Sequence, residues 1–351
     1  MSRAPEGLPT SAFDYDLPPD RIARTPAPSR DGSRLLLLDR ASGAILHQSF
    51  GDVARHMDAG DVLVVNETRV FKARLLGRKP SGARVEVLLL RRIPGHGPGV
   101  WEALVRPGQK LKPGRIVQVA DALSIEILET VGRGARLVRL SGPMPDDEAI
   151  ERWGRVPLPP YIDRETTDQD SERYQTVYAR EVGSVAAPTA GLHFTQSLLS
   201  DLEAKGVRVA RLVLHVGPGT FRPVTVEDPA EHRLHAEPFT LTPGAAAVIN
   251  QTKAAGGRVL AVGTTVTRTL ETLANADGTV RPGEGETSLF IRPPYRFRVV
   301  DRLITNFHLP RSTLLMLVCA FGGYEAVMRA YREAVERGYR FYSYGDAMMI
   351  R

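Results

Sequence analysis

The feature that most constrains the fold is a change of texture between residues 73 and 141. Short β-rich runs recur there, at 85–90, 101–106, 116–119, 124–128 and 135–140. Pro94-Gly95, Pro107-Gly108, Pro113-Gly114 and Gly132 divide them. Evenly spaced short strands with turn residues between them build a small barrel or sandwich. The flanking chain reads differently. Apolar runs at 34–39 and 44–50 are joined by Ala41-Ser42-Gly43 as a hairpin, and 61–65 is a buried strand. A helix is expected at 147–153, then a long irregular stretch over 157–180. Beyond it strands at 207–215, 258–262, 288–291 and 299–305 alternate with helices at 195–205, 243–255, 264–275, 312–321 and 324–337. Gly206, Gly256-Gly257 and Gly338 stop three of these helices. A last strand, 348–350, is expected to close the sheet. Strand–helix alternation argues a layered α/β domain. The expectation is therefore a discontinuous α/β domain, 1–72 with 142–351, carrying an inserted all-β barrel-like domain at 73–141.

The length of 351 residues leaves room for two real cores. At 42% hydrophobic and 25% charged, the composition is that of a soluble globular protein. No apolar signal segment is read at the N-terminus, and the longest apolar run, 314–321, is too short to span a bilayer. The single cysteine, Cys319, lies in that run and is read as a small buried hydrophobe. With no disulfide possible, a reducing cytoplasm is the expected compartment. A net charge of +6 leans towards a polyanionic partner, with the basic residues scattered rather than collected in a tail. Any nucleic acid would therefore meet a folded surface.

Four segments rich in small and hydroxylated residues carry the chemical signal. They are Ser184 to Phe194, His215 to Phe221, Ala261 to Thr265 and Thr305 to Pro310. Such segments line pockets where backbone must approach a ligand closely. Gly263-Thr264-Thr265 stands between a strand and a helix. Thr264 or Thr265 is expected to cap the helix, with Arg268 one turn in, as an anion site or as an ordinary cap beside a solvated arginine. His215-Val216-Gly217-Pro218-Gly219-Thr220 lacks the third glycine and the following helix of a dinucleotide loop, so neither that fold nor the usual methyltransferase loop is supported. His232 and His235 with Glu237 offer two imidazoles and a carboxylate. The zinc-protease order is absent and no cysteine is available, so acid/base use is favoured over metal. At the C-terminus Tyr344 and Asp346 follow an aromatic–arginine run that either stacks nucleobases or packs on the core. From the residues alone, a transferase or lyase acting on a nucleotide-like ligand competes with a non-catalytic RNA-binding protein.

Taken together, these blocks resemble the S-adenosylmethionine:tRNA ribosyltransferase-isomerases of queuosine biosynthesis. Residues 66–70, 157–163, 174–178, 185–194, 215–221, 232–237, 261–271, 305–321 and 339–350 carry the likeness in family order. Glu67, Pro218 and Leu234 depart from it. The resemblance implies an α/β domain with an inserted β-barrel. It also implies that the ribosyl part of S-adenosylmethionine moves to 7-aminomethyl-7-deazaguanine at the tRNA wobble position. The product is epoxyqueuosine, and adenine and methionine leave. S-adenosylmethionine is then a consumed co-substrate, with no true cofactor and no metal. Against that chemistry, His193, His215, His232 and His235 are the acid/base candidates, with Glu237 orienting one imidazole. Substrate contacts are expected at Thr189, Gly191, Gly217, Gly219, Thr220, Thr264, Thr265, Arg268, Asn306, His308, Tyr344 and Asp346. A cytoplasmic monomer with no membrane partner is expected. Another S-adenosylmethionine-dependent RNA-modifying enzyme, such as a methyltransferase, is the alternative, alongside the RNA binder.

Overall fold

The computed structural model describes residues 7–217, 219 and 223–351. Strands β1 (Arg34–Leu38) and β2 (Ile45–Ser49) form the expected hairpin. β3 (Val62–Asn66) and β4 (Thr68–Val70) follow. The chain then enters β5 (Arg74–Arg78), β6 (Arg84–Arg92), β7 (Val100–Arg106), β8 (Ile116–Ala120), β9 (Leu123–Thr130) and β10 (Arg136–Ser141). These six close into a barrel in the order β10-β7-β6-β5-β8-β9. β5 carries too few apolar residues to be read from sequence; it forms because it pairs with β6 along its whole length. Alternate residues such as Leu75, Val87, Leu89, Ile125 and Val138 fill the barrel, as a period of two requires.

The returning chain forms α1 (Asp146–Trp153), α2 (Asp168–Arg173) and β11 (Glu181–Ser184), which pairs with β4. Next come α3 (Gln196–Ala204), β12 (Arg208–Leu214), β13 (Glu237–Leu241), α4 (Pro243–Ala254), β14 (Val259–Val262) and α5 (Thr264–Thr272). β15 (Gly283–Thr287), β16 (Arg302–Asn306), α6 (Thr313–Gly322), α7 (Tyr324–Glu336) and β17 (Ala347–Ile350) complete it. The main sheet has nine strands in the order β15-β13-β12-β3-β14-β16-β17-β1-β2. Two expectations shift. No strand forms at 288–291; the edge strand is the polar Gly283–Thr287, held by five paired positions on β13. β17 does not close the sheet but lies inside it, between β16 and β1.

The central strands are buried on both faces, which is why they read as unbroken apolar runs. Leu35, Leu37, Leu63 and Val65 pack with α3 and with Phe50 and Val53 on one side. Leu36, Leu38, Val62 and Val64 join a larger core with residues of α4 to α7 on the other. Cys319 is buried in that core, and burial pushes its thiol well up. Among the described residues no single helix is long and apolar enough to cross a membrane; α6 and α7 together are, but they meet at a bend of 117°.

The stretch 157–180 is packed rather than open. Leu158, Ile162 and Tyr174 form a small core with Val70, Ala187 and Tyr344. Burial would raise the Asp170 carboxyl, yet paired bonds from Arg164 at 2.6 and 2.7 Å, with those from Thr167, hold it down at about 2.

One consequence of topology positions everything below. β12, β3, β14 and β16 run parallel, so their carboxyl ends emerge along one edge. Asn66, His215, Gly263 and Asn306 stand there. β17 runs antiparallel to β16, so residues 342–346 enter the sheet at the same edge. β4, which leads into the barrel, leaves from it too. Ligands of open α/β sheets bind outside strand carboxyl ends.

Candidate active site

Two hollows open on this edge. The larger is a cleft of about 910 Å³ between barrel and sheet. Phe71, Arg91, Arg92, Trp101 and Glu102 line its barrel side; His215, Gly217, Gly219, His235, Glu237, Arg268 and Phe290 line the other. The smaller is a recess of about 40 Å³ lined by Thr189, Thr264, Thr265, Thr305, Asn306, His308 and Ser343, among others. Val216 and Leu314 line both, so the two adjoin.

His215 extends from the end of β12. Its Nδ1 lies 2.8 Å from Thr68 Oγ1, and that hydroxyl is 3.5 Å from the Glu181 carbonyl. The ring lies flat on Gly183, where any Cβ would come within 2.6 Å of it. Partial burial lowers the imidazole, with Glu181 opposing. Nε2 makes no hydrogen bond with the described residues. Asn66 accepts from the Leu214 N–H at 3.1 Å and donates to the Leu214 carbonyl at 2.9 Å, so it ties β3 to β12 directly behind His215. The same amide accepts from Thr68 N–H at 3.1 Å.

Glu237 begins β13 and accepts from the Gly217 N–H at 3.0 Å and from Arg268 Nη1 at 2.5 Å. Arg268 also donates to the carbonyls of Leu289 at 3.0 Å and Thr287 at 3.2 Å. All three of its guanidinium nitrogens are therefore engaged, in a group almost wholly buried. The barrel wall is charged and aromatic: Arg91 pairs with Glu102 at 2.8 Å, and Arg92 lies 4.9 Å over the Trp101 ring.

The structure separates the residues expected from sequence. His215, His235, Glu237, Gly217, Gly219 and Arg268 meet in the cleft. His232 packs edge-on against Phe290, 5.7 Å between ring centres, and does not line it. His193 lines neither hollow. It is buried behind the recess, with Nδ1 2.7 Å from Ser33 Oγ and Nε2 3.1 Å from Asn306 Nδ2, and burial pushes it down to about 3. Asn306 accepts from Thr189 Oγ1 at 2.9 Å, so Ser33, His193, Asn306 and Thr189 form one relay into the recess.

His308 lines the recess, but its Nε2 is 2.7 Å from Thr305 Oγ1 and burial pushes it down to about 3. The trio of Thr264, Thr265 and Arg268 is split, the threonines in the recess and the arginine in the cleft. Neither threonine caps α5: its N-cap is Gly263, at φ 94°, and both threonines belong to the first turn. Gly191 lies against the Tyr178 hydroxyl, where a Cβ would sit 2.1 Å away, and lines neither hollow. Tyr344 donates to Asp170 at 3.1 Å. Asp346 accepts the N–H groups of Arg34 and Arg340, both at 2.8 Å, which fixes the entry to β17. These two therefore hold the fold beside the site. Thr220 lies outside the described residues. Among the described residues no group of three or more His, Cys, Asp or Glu side chains could hold a metal ion.

Thr68, Asn66 and Gly183 are the neighbours of His215 that sequence reasoning missed. Asn66 and Thr68 stand at a strand end, a place where polar side chains deserve suspicion; nothing local marks Gly183.

Fold and site together define an enzyme of layered α/β type whose cleft lies between the sheet's carboxyl edge and an inserted barrel. Residues 10–350 match the family described as queuosine biosynthesis protein. A relative from Symbiobacterium thermophilum is 54% identical over 342 residues, 97% of this chain and 99% of its own. Another, from Moorella thermoacetica, is 54% identical over 343 residues, covering 96% and 98%. Both are named S-adenosylmethionine:tRNA ribosyltransferase-isomerase. The crystal structure of an S-adenosylmethionine tRNA ribosyltransferase from Thermotoga maritima is 40% identical, covers 97% of this chain and all of its own, and superposes with a TM-score of 0.56. The chain belongs to the queuosine biosynthesis protein family.

Proposed function

We propose that the chain catalyses the reaction its relatives are named for. The ribosyl moiety of S-adenosylmethionine is transferred to 7-aminomethyl-7-deazaguanine at the wobble position of tRNA and isomerised to give epoxyqueuosine, with release of adenine and methionine. S-adenosylmethionine is consumed as a co-substrate; no resident cofactor or metal is required. The protein works as a cytoplasmic monomer, with 73–141 as an inserted domain that completes the cleft.

The observation that carries the reading is His215. The sulfonium acidifies the adjacent 5′-CH₂, and a base must still remove a proton there. With Thr68 donating to the Glu181 carbonyl, His215 Nδ1–H donates to Thr68, and the Nε2 lone pair faces the cleft. Lowered by burial, the imidazole stays unprotonated at neutral pH. Thr68 is then the positioning residue that selects the tautomer. His235, on the same side of the cleft, is the candidate acid that protonates the departing adenine. Glu237, braced by Arg268, holds the Gly217 N–H and so the backbone on which the adenosine rests. Phe71, Trp101 and Phe290 offer faces on which the RNA base stacks.

A mass-spectrometric assay tests the proposal. Protein, S-adenosylmethionine and an anticodon stem-loop carrying 7-aminomethyl-7-deazaguanine should yield RNA with the epoxycyclopentane mass, plus free adenine and methionine. RNA that gains only a methyl group, with S-adenosylhomocysteine, would replace this reading with a methyltransferase. Unchanged but bound RNA would leave only a binding protein.

A further inference from the structure

The recess at the start of α5 is a separate subsite. We infer that it takes the carboxylate of the amino-acid portion of the sulfonium substrate, an inference that rests on the function proposed above. Three independent observations support it. The first is the helix end. α5 spans nine residues, Thr264–Thr272, and no side chain caps it, because its N-cap is Gly263. The first-turn N–H groups of a helix have no partner of their own, and the dipole there favours an anion.

The second is the Thr264 hydroxyl. Thr264 is 7% exposed and lines the recess, yet its hydroxyl makes no hydrogen bond with the described residues. The oxygen itself is open to the recess, so the hydroxyl stands ready to donate to, or accept from, whatever occupies that space. Its neighbour Thr265 accepts from Asn66 Nδ2 at 3.4 Å, which leaves its own hydrogen to donate.

The third is the character and place of the hollow. No Asp, Glu, Lys or Arg lines it, and His308 is held neutral there. Donors therefore face the space without a competing carboxylate, and no fixed cation demands a phosphate. At about 40 Å³ it suits a group of a few heavy atoms. It touches the cleft at Val216, the residue after His215. A substrate with its carboxylate on α5 would therefore extend towards the cleft that His215 lines. The relay from Ser33 through His193 and Asn306 to Thr189 acquires a purpose in this arrangement. It holds one wall of the recess with an uncharged histidine, where a protonated one would compete for the carboxylate.

The test compares S-adenosylmethionine with its decarboxylated analogue, by calorimetric binding without RNA, in wild type, Thr264→Val and Thr264→Ser. Wild type should favour the carboxylate form by about 10-fold or more, as a hydrogen bond to a charged group would give. Thr264→Val should cut that ratio several-fold and leave the analogue's own affinity unchanged; Thr264→Ser should keep the ratio. A ratio near one in wild type, or one equal in wild type and Thr264→Val, overturns the subsite. So does a Thr264→Val protein whose RNA affinity falls while the ratio holds, which would put an RNA phosphate there. Failure of wild type to bind either compound, even with an anticodon stem-loop lacking the aminomethyl group present, would instead defeat the proposed function itself.

Discussion

Two pairs of histidines near the same sheet edge behave oppositely. His215 and His235 line the cleft, where His215 spends one ring nitrogen on Thr68 and leaves the other facing the space. His193 and His308 sit at and behind the recess, with His193 bonded through both nitrogens and His308 held to Thr305. Both of the latter are kept neutral down to about pH 3 by burial. His215, His193 and His308 all occur in segments rich in small and hydroxylated residues, so local composition does not tell them apart. What separates them is water. An imidazole exchanges protons usefully where solvent or substrate reaches it, and serves as an uncharged hydrogen-bonding strut where neither does.

The sharpest way to break the comparison is to remove one imidazole from each class. His215→Ala should slow single-turnover chemistry by about 10²–10⁴-fold with the fold intact. His193→Gln, which keeps an amide in reach of Asn306, should cost far less in rate and show its effect in thermal stability. Equal rate losses in both would erase the distinction.

Next in size, Arg268→Met strands the buried Glu237 carboxylate without its guanidinium. Breaking a buried pair in this way typically costs about 3–5 kcal/mol, to be read from chemical denaturation. A loss under about 1 kcal/mol would mean that the brace is dispensable.

The neutral pair also predicts a pH signature. Each folded-state value lies near 3 against an ordinary 6.5, so the unfolded chain takes up the proton first. The stability these groups contribute is whole above pH 6.5 and is lost as pH falls towards 3, by up to about 1.4 kcal/mol per pH unit for each histidine. Denaturation midpoints between pH 7 and 4 measure the slope, and His193→Gln should flatten it. His215, shifted less, should appear instead as an ionisation in the rate profile.

The smallest effect sharpens the role of Thr68. Thr68→Val should lower the rate about 3–10-fold, as loss of one hydrogen bond would, and shift the acidic limb of the pH–rate profile. Thr68→Ser should restore both. An unchanged profile would mean that Thr68 does not select the tautomer.

Much of the architecture was legible because burial writes itself into local pattern. The 34–38 and 62–66 strands are buried on both faces and therefore continuously apolar; the barrel strands alternate. Where the reading slipped, tertiary pairing overrode composition. Residues 283–287 form a strand because β13 offers five partners, though Gly-Glu-Gly-Glu-Thr has no apolar face. β5 exists because a barrel must close.

The sequence by itself determined the layered α/β class, the position of the β-rich insertion and the family likeness, since long ordered blocks survive without knowledge of contacts. It also brought His215, Gly217 and Thr264 to notice in glycine-bearing segments at strand ends, and Glu237 as the carboxylate beside two histidines. Only the tertiary structure decided which of these share a hollow. Thr264 and Arg268 are one helical turn apart, yet they face different spaces. His193 and His215 are 22 positions apart along the chain, yet one is sealed and the other faces the cleft. Solvent access, pairing of buried charge and the filling of the imidazole nitrogens depend on tertiary contacts such as Ser33 with His193, 160 positions apart, and Thr68 with His215, 147 apart, and no local pattern encodes them.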